Sequence, residues 1–121
     1  MRVIVCGSRT WTDKDLIWAR LDDLPDGAQI VHGAHHSGAD HFAHLWCEIN
    51  APSREEPVQA RWREEGKKAG PLRNRIMLAR GADLVIAFRS RGDSRGTDHM
   101  VGIARAAGVP VERILDRPVE S

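Results

Sequence analysis

At 121 residues, 41% hydrophobic and 29% charged, the chain has the composition of a soluble globular protein, which excludes a disordered or fibrous polymer. A net charge of +1 is too close to neutral for a dedicated nucleic-acid binder. No apolar stretch nears the ~20 residues of a membrane span, no signal-peptide core is present, and two cysteines make no disulfide framework; one domain over 1–121 in a reducing cytoplasm is expected.

In chain order, apolar β-type runs alternate with helical patterns, which predicts an α/β fold with a parallel sheet of about five strands flanked by helices. A first strand over residues 2–6 runs into Gly7-Ser8-Arg9. Thr12 with Asp15 resembles a capping box, and Ile17, Leu21 and Leu24 then share one helical stripe. Pro25-Asp26-Gly27 is a turn, followed by a short strand, Gln29-Ile30-Val31, that ends at His32-Gly33. Ala39, Phe42, Ala43, Trp46 and Ile49 recur at helical spacing, so a helix is expected over 38–49, stopped by Asn50-Ala51-Pro52. The third strand falls around Glu56-Pro57-Val58, despite its charge and its proline. Gly70-Pro71 starts the next helix, with Leu72, Ile76 and Ala79 facing inward and Arg73, Asn74 and Met77 off that stripe. A fourth strand covers 83–88. The last helix places Met100, Ile103, Ala104 and Ala107 on its core face and is capped by Gly108; Val109-Pro110-Val111 begins a fifth strand. The Arg89–Arg95 segment reads as a flexible loop close to a ligand.

Two of these strands lead into small, glycine-bearing turns. Val3-Ile4-Val5-Cys6 breaks into Gly7-Ser8-Arg9, and Leu84-Val85-Ile86-Ala87-Phe88 is followed by Gly96-Thr97 at a helix start. Glycine lets backbone N–H groups approach an anion, a hydroxyl adds a donor, and the helix N-terminus supplies a positive dipole. Ligands of open parallel sheets bind outside the carboxyl ends of the strands, which gathers Gly7–Arg9, His32-Gly33 and the 89–97 loop on one rim. The order matches neither the Gly-x-Gly-x-x-Gly of a dinucleotide fold nor a Gly-Lys-Ser/Thr phosphate loop, so neither a generic dehydrogenase nor an NTPase is expected. Residues 61–95 carry ten Lys/Arg against four Asp/Glu, a net of +6 that leaves −5 on the rest. Arginine outnumbers lysine fifteen to three, and its planar fork suits phosphate oxygens.

Four groups of residues carry a family resemblance: Val3-x-x-Cys6-Gly7-Ser8-Arg9; His32-Gly33 with Gly38-Ala39-Asp40; Gly66-Lys67-x-x-Gly70-Pro71-x-Arg73-Asn74-x-x-Met77; and Gly96-Thr97-x-His99-Met100. In this order, from about residue 2 to residue 111, the chain resembles the SLOG superfamily, and within it the small YspA/YpsA-related stand-alone branch common in bacteria and their phages. The resemblance implies a Rossmann-like fold and a nucleotide or nucleotide-derived ligand, often bound by a homodimer; no cofactor is expected to be required beyond that ligand. It puts ligand contacts on Gly7, Ser8, Arg9, Gly33, Asp40, Arg73, Asn74, Gly96 and Thr97. Ser8 and Thr97 would donate to phosphate oxygens, Arg9 or Arg73 would balance charge, and Asp40 doubles as a favourable carboxylate in the first turn of its helix.

One departure bears on activity. LOG phosphoribohydrolases of this superfamily read Pro-Gly-Gly-x-Gly-Thr-x-x-Glu, and here Met100 stands where the catalytic glutamate would be. Methionine can neither exchange a proton nor stabilise an oxocarbenium ion, and Asp98 and His99 lie on other helical azimuths. Binding without turnover is therefore expected, as a sensor or sequestering module for an ADP-ribose-, NAD- or nucleoside-phosphate-like ligand. The alternatives are a nucleoside 5′-monophosphate phosphoribohydrolase and a DNA-processing accessory protein.

Among His32, His35, His36, His41 and His44, the pair His41/His44 could clamp a metal with Asp40 or His36, yet the spacing fits no zinc signature and no metal is expected. Trp18 and Trp46 belong to helix packing. Trp62, beside the basic segment, could stack on a base.

Overall fold

A computed structural model of the chain describes residues 1–92 and 94–117. Five parallel strands, β1 (Arg2–Gly7), β2 (Gln29–His32), β3 (Glu55–Pro57), β4 (Leu84–Arg89) and β5 (Val111–Leu115), pair in the order β3-β2-β1-β4-β5. The helices are α1 (Lys14–Asp22), α2 (Gly38–Asn50), the single turn α3 (Trp62–Glu65), α4 (Ala69–Ala79) and α5 (Arg95–Ala106). This is the expected Rossmann-like α/β arrangement.

The central strands are apolar on both faces, as strands covered by helices on each side must be. In β1, Val3 and Val5 join Ile86 and Phe88 of β4 in one core with Ile17 and Leu21 of α1 and Ala43 and Trp46 of α2. Ile4 and Cys6, one step out of phase, join Val85 and Ala87 in a second core with Met77 of α4 and Met100 and Ala104 of α5. So α1 and α2 cover one face, α4 and α5 the other. The chain leaves β1 toward β2 on one side and leaves β4 toward β5 on the other. The strand order therefore reverses between β1 and β4, the position where open α/β sheets receive ligands.

Several local expectations are corrected. The cap of α1 is Asp13, whose carboxylate accepts the Leu16 N–H at 3.2 Å, so the Thr12–Asp15 box does not form. Helix α4 turns its other face inward: Asn74 and Met77 are buried while Leu72 and Ile76 are 38% and 46% exposed. Ala69 and Gly70 are buried with Asn74 and Met77, and the apolar Leu72/Ile76 pair is left outside. On α5, Met100 and Ala104 are buried as expected, but Thr97 and Val101 complete the face and Ala107 is exposed. Strand β3 lies one residue earlier than the sequence suggested, and β5 starts only at Val111. Of the proposed 89–95 loop, Arg89 closes β4, Arg95 opens α5, and Asp93 is outside the described residues.

Candidate functional site

The end of β1 is packed too tightly for any side chain at Gly7. A Cβ there would overlap the Phe88 carbonyl oxygen and the Ala39 methyl group, so β1, β4 and α2 converge on this one position. Gly38, at a φ of +69°, meets the same constraint from the other side, against the backbone of Ser8 and Arg9. The Ser8 carbonyl then accepts the N–H groups of Trp11 and Ala39, both at 3.2 Å, which anchors the start of α2 to the β1 turn.

Ser8 and Thr97 face one another across the rim, joined by a residue that sequence reasoning missed. The Ser8 hydroxyl accepts the Ser90 N–H at 2.8 Å and lies 2.7 Å from the Ser94 hydroxyl, which donates to Thr97 Oγ1 at 3.0 Å. All three hydroxyl residues are buried. Because Ser94 gives its proton to Thr97, Ser8 is the donor to Ser94, and the Thr97 proton lies at the end of the chain. Ser94 is the N-cap of α5, yet its hydroxyl caps no backbone N–H; its carbonyl takes that of Asp98 instead. The Ser94 side chain thus leaves the first turn of α5 without a cap from its N-cap residue. Beside it a Cβ added at Gly96 would meet nothing within 4 Å among the described residues. The Ser-x-x-Thr spacing of 94–97 was the available signal for Ser94.

A second polar chain runs along the rim from β2 to α5. Arg73 donates through Nη1 to the Gly33 carbonyl at 2.6 Å and through Nε to Asn74 Oδ1 at 2.9 Å. Arginine can only donate, which fixes the amide orientation of Asn74. Its nitrogen therefore donates to the Gly96 carbonyl at 3.1 Å and to His99 Nδ1 at 3.2 Å, and the His99 proton sits on Nε2. Burial, with a smaller push from Arg75, lowers the His99 pKa, in keeping with a neutral ring. Burial also lowers that of Arg73, against the attraction of Asp40. A Cβ at Gly33 would fall on the Arg73 guanidinium and 2.8 Å from Asp40 Oδ2, so Gly33, Arg73 and Asp40 share one point. Asp40 Oδ2 accepts the His35 N–H at 3.2 Å and holds the loop before its own helix.

Arg9, the last of the nine residues, lies over the Trp62 ring at 5.4 Å from its centroid. Trp62 is 47% exposed. A cleft of about 500 Å³, lined in part by Thr10, Thr12, Ser90 and Arg91, opens along the same β1 and β4 turns. Met100 is wholly buried in the second core, and Asp98 is paired with Arg89 at 2.8 and 3.0 Å; this hydrogen bond holds its carboxyl below the usual range. Cys6 is buried under the rim, and burial pushes its thiol pKa far up.

The histidines group differently from the His41/His44 clamp considered above. His44 Nδ1 and His32 Nε2 share Glu55 Oε2, at 2.7 and 2.6 Å, and one ligand atom from each of the three lies within 4.8 Å of the others. A metal would need the lone pair of His32 Nε2. His32 Nδ1 already accepts the Ala34 N–H at 3.0 Å, which leaves the proton on Nε2, donated to Glu55. As bonded, the cluster is a proton-sharing network that ties α2 to β2 and β3. Ala34, held by it, takes a left-handed φ of +58°.

A model of the YspA, cpYpsA-related SLOG family matches residues 1–64, a span that takes in Gly7, Ser8, Arg9, Gly33 and Asp40. The chain is also similar to the Gene 61 protein of Mycobacterium phage D29, with 39% identity over 125 residues, 97% of this chain and 98% of that protein.

Proposed function

The chain belongs to the YspA, cpYpsA-related SLOG family, and from that premise we propose that it binds a nucleotide or nucleotide-derived small molecule at the carboxyl rim of its sheet, as a sensor or sequestering module. The ligand is of the ADP-ribose, NAD or nucleoside-phosphate kind. The observation that carries this reading is the first turn of α5. The Ser94 side chain does not cap it, among the described residues the face above Gly96 is open, and the Ser8–Ser94–Thr97 hydroxyls lead to it. That combination of oriented donors and a helix dipole suits a phosphate. Arg73 and Arg9 supply the cationic balance, and Gly33, Asp40 and Asn74 hold Arg73 in place.

Turnover has no support at the position where the superfamily's hydrolases carry glutamate, because Met100 is a core side chain. Two further parts of the reading rest on surface and redox chemistry. The exposed Leu72 and Ile76 on α4 favour self-association into a homodimer, to be checked by sedimentation. The free, buried thiols of Cys6 and Cys47 suit a reducing cytoplasm. Among the described residues no helix is long and apolar enough to cross a membrane.

The test is thermal denaturation with AMP, ADP-ribose, NAD and cyclic nucleotides. A ligand at 100 times its Kd contributes about 2.7 kcal/mol, a rise of roughly 4–8 °C for a domain near this size. At least one of the panel is expected to give it. No shift from any at millimolar concentration overturns the reading.

A further inference from the structure

Trp62 is a large aromatic side chain left in solvent for no packing reason. Trp11 and Trp46 are buried at 2% and 7%, and Trp18 donates its indole N–H to the Phe42 carbonyl, whereas Trp62 is 47% exposed on a helix of one turn. Its ring is nevertheless held. Arg9 lies over it at 5.4 Å, and the distal edge of the ring lies against Gly70, where a Cβ would stand 3.2 Å from the indole. Arg9 follows Ser8 directly, so a single arginine side chain separates the phosphate-type turn from the indole. Its charge acts on both Arg73 and His35, and no carboxylate among the described residues pairs with it. An unbalanced cation between a hydroxyl-lined turn and an exposed aromatic face suits a molecule that is anionic at one end and flat at the other.

We infer that Trp62 is the base-stacking platform of the site: the nucleobase of the ligand lies on the indole while its 5′-phosphate reaches the Ser8 and Gly96 turns and Arg9 balances its charge. The inference rests on the nucleotide-binding reading and adds to it the ligand's class, a nucleoside 5′-phosphate or a molecule built on one rather than a bare sugar phosphate. Stacking accepts any base, because each has a π-face, so the platform sets class and not base identity. Gly70 belongs to the same device, since a larger residue would push the ring from its seat.

The experiment compares AMP, CMP and ribose 5-phosphate on the wild type, Trp62→Phe and Trp62→Ala, by calorimetry and tryptophan fluorescence. The exposure of Trp62 leaves the fold of both variants intact. AMP and CMP are expected to quench the wild-type emission, and the quenched component is absent in Trp62→Phe. Their affinity is expected to stay within about threefold in Trp62→Phe and to fall roughly ten- to a hundredfold in Trp62→Ala, the range typical of one stacked base. Ribose 5-phosphate is expected to bind all three proteins equally. If AMP and CMP bind the wild type and Trp62→Ala alike, the platform is refuted and the binding reading stands. If none of the three probes binds the wild type, the platform is refuted, and the binding reading falls with it if ADP-ribose, NAD and the cyclic nucleotides fail to bind as well.

Discussion

The Arg73 guanidinium donates to the Gly33 carbonyl at 2.6 Å, and so ties a helix on one face of the sheet to the loop that follows β2. Gly33 must be glycine for this to happen, because a Cβ would occupy the space of the guanidinium. Gly33→Ala is therefore expected to displace Arg73 and destabilise the protein by about 1–3 kcal/mol, as overpacking does. Arg73→Ala leaves the Gly33 carbonyl without its donor, at about 1–3 kcal/mol where that group stays dry. Both are read from denaturant midpoints. If Gly33→Ala is as stable as the wild type, the shared position of these two residues is wrong.

Thr97→Ala separates a structural from a ligand role for the hydroxyl chain. It removes the acceptor of the Ser94 hydroxyl, a hydrogen bond worth about 0.5–1.5 kcal/mol of stability. Loss of the charged contact to phosphate is expected to lower nucleotide affinity roughly ten- to a hundredfold, from the about 1.5–3 kcal/mol of such a bond. An affinity equal to that of the wild type, with stability reduced, would make the chain purely structural.

The His44–Glu55 pair predicts a stability maximum in mildly acidic solution. The hydrogen bond with Glu55, aided by Glu48, raises the His44 pKa above its ordinary 6.5. Its contribution is thus fully present below 6.5 and is lost as pH rises through the raised value. For Glu55, burial alone would raise the pKa, but the hydrogen bonds from His32 and His44 outweigh it and bring it below 4.5. That contribution is present above 4.5 and disappears as pH falls through the lowered value. His44→Gln is expected to flatten the alkaline decline in Tm between pH 6 and 8, leaving the Asp and Glu residues elsewhere to shape the acid limb. An unchanged pH profile in that variant would remove His44 from the account.

Prolonged incubation with AMP or CMP is expected to release no free base. Met100 offers no proton-transfer group, Asp98 is engaged by Arg89, and the His99 ring is held by Asn74. Chromatographic detection of adenine or cytosine that vanishes in Asp98→Asn would establish the hydrolase alternative.

The sheet could be read from the sequence because β1 and β4 are apolar on both faces and need no partner to declare themselves. The rim followed from the same runs, since each leads into a turn that carries glycine and small hydroxyl residues. Helix α4 could not be read in this way. Its buried stripe holds Gly70, Asn74 and Met77, and Asn74 is there to orient Arg73 and His99 rather than to fill a core, so the apolar Leu72/Ile76 stripe pointed the wrong way. Ser94 was missed because Ser8, its partner from the other turn, reaches it only through the strand order. The His32–Glu55–His44 network joins residues from three elements, and no local spacing announces it.

The central claim is that a nucleotide-type phosphate sits on the first turn of α5, and Gly96→Val tests it most directly. Among the described residues, nothing outside the adjacent helix backbone lies within 4 Å of a Cβ at this position, and valine is a better helix former than glycine, so the variant is expected to fold with an unchanged or higher Tm. The branched side chain would fill only the space assigned to the phosphate. Calorimetric titration of AMP and ADP-ribose is expected to show saturable binding of at least one to the wild type, and a loss of a hundredfold or more in Gly96→Val. Equal affinities in the two proteins would contradict the account, because the ligand would then lie elsewhere.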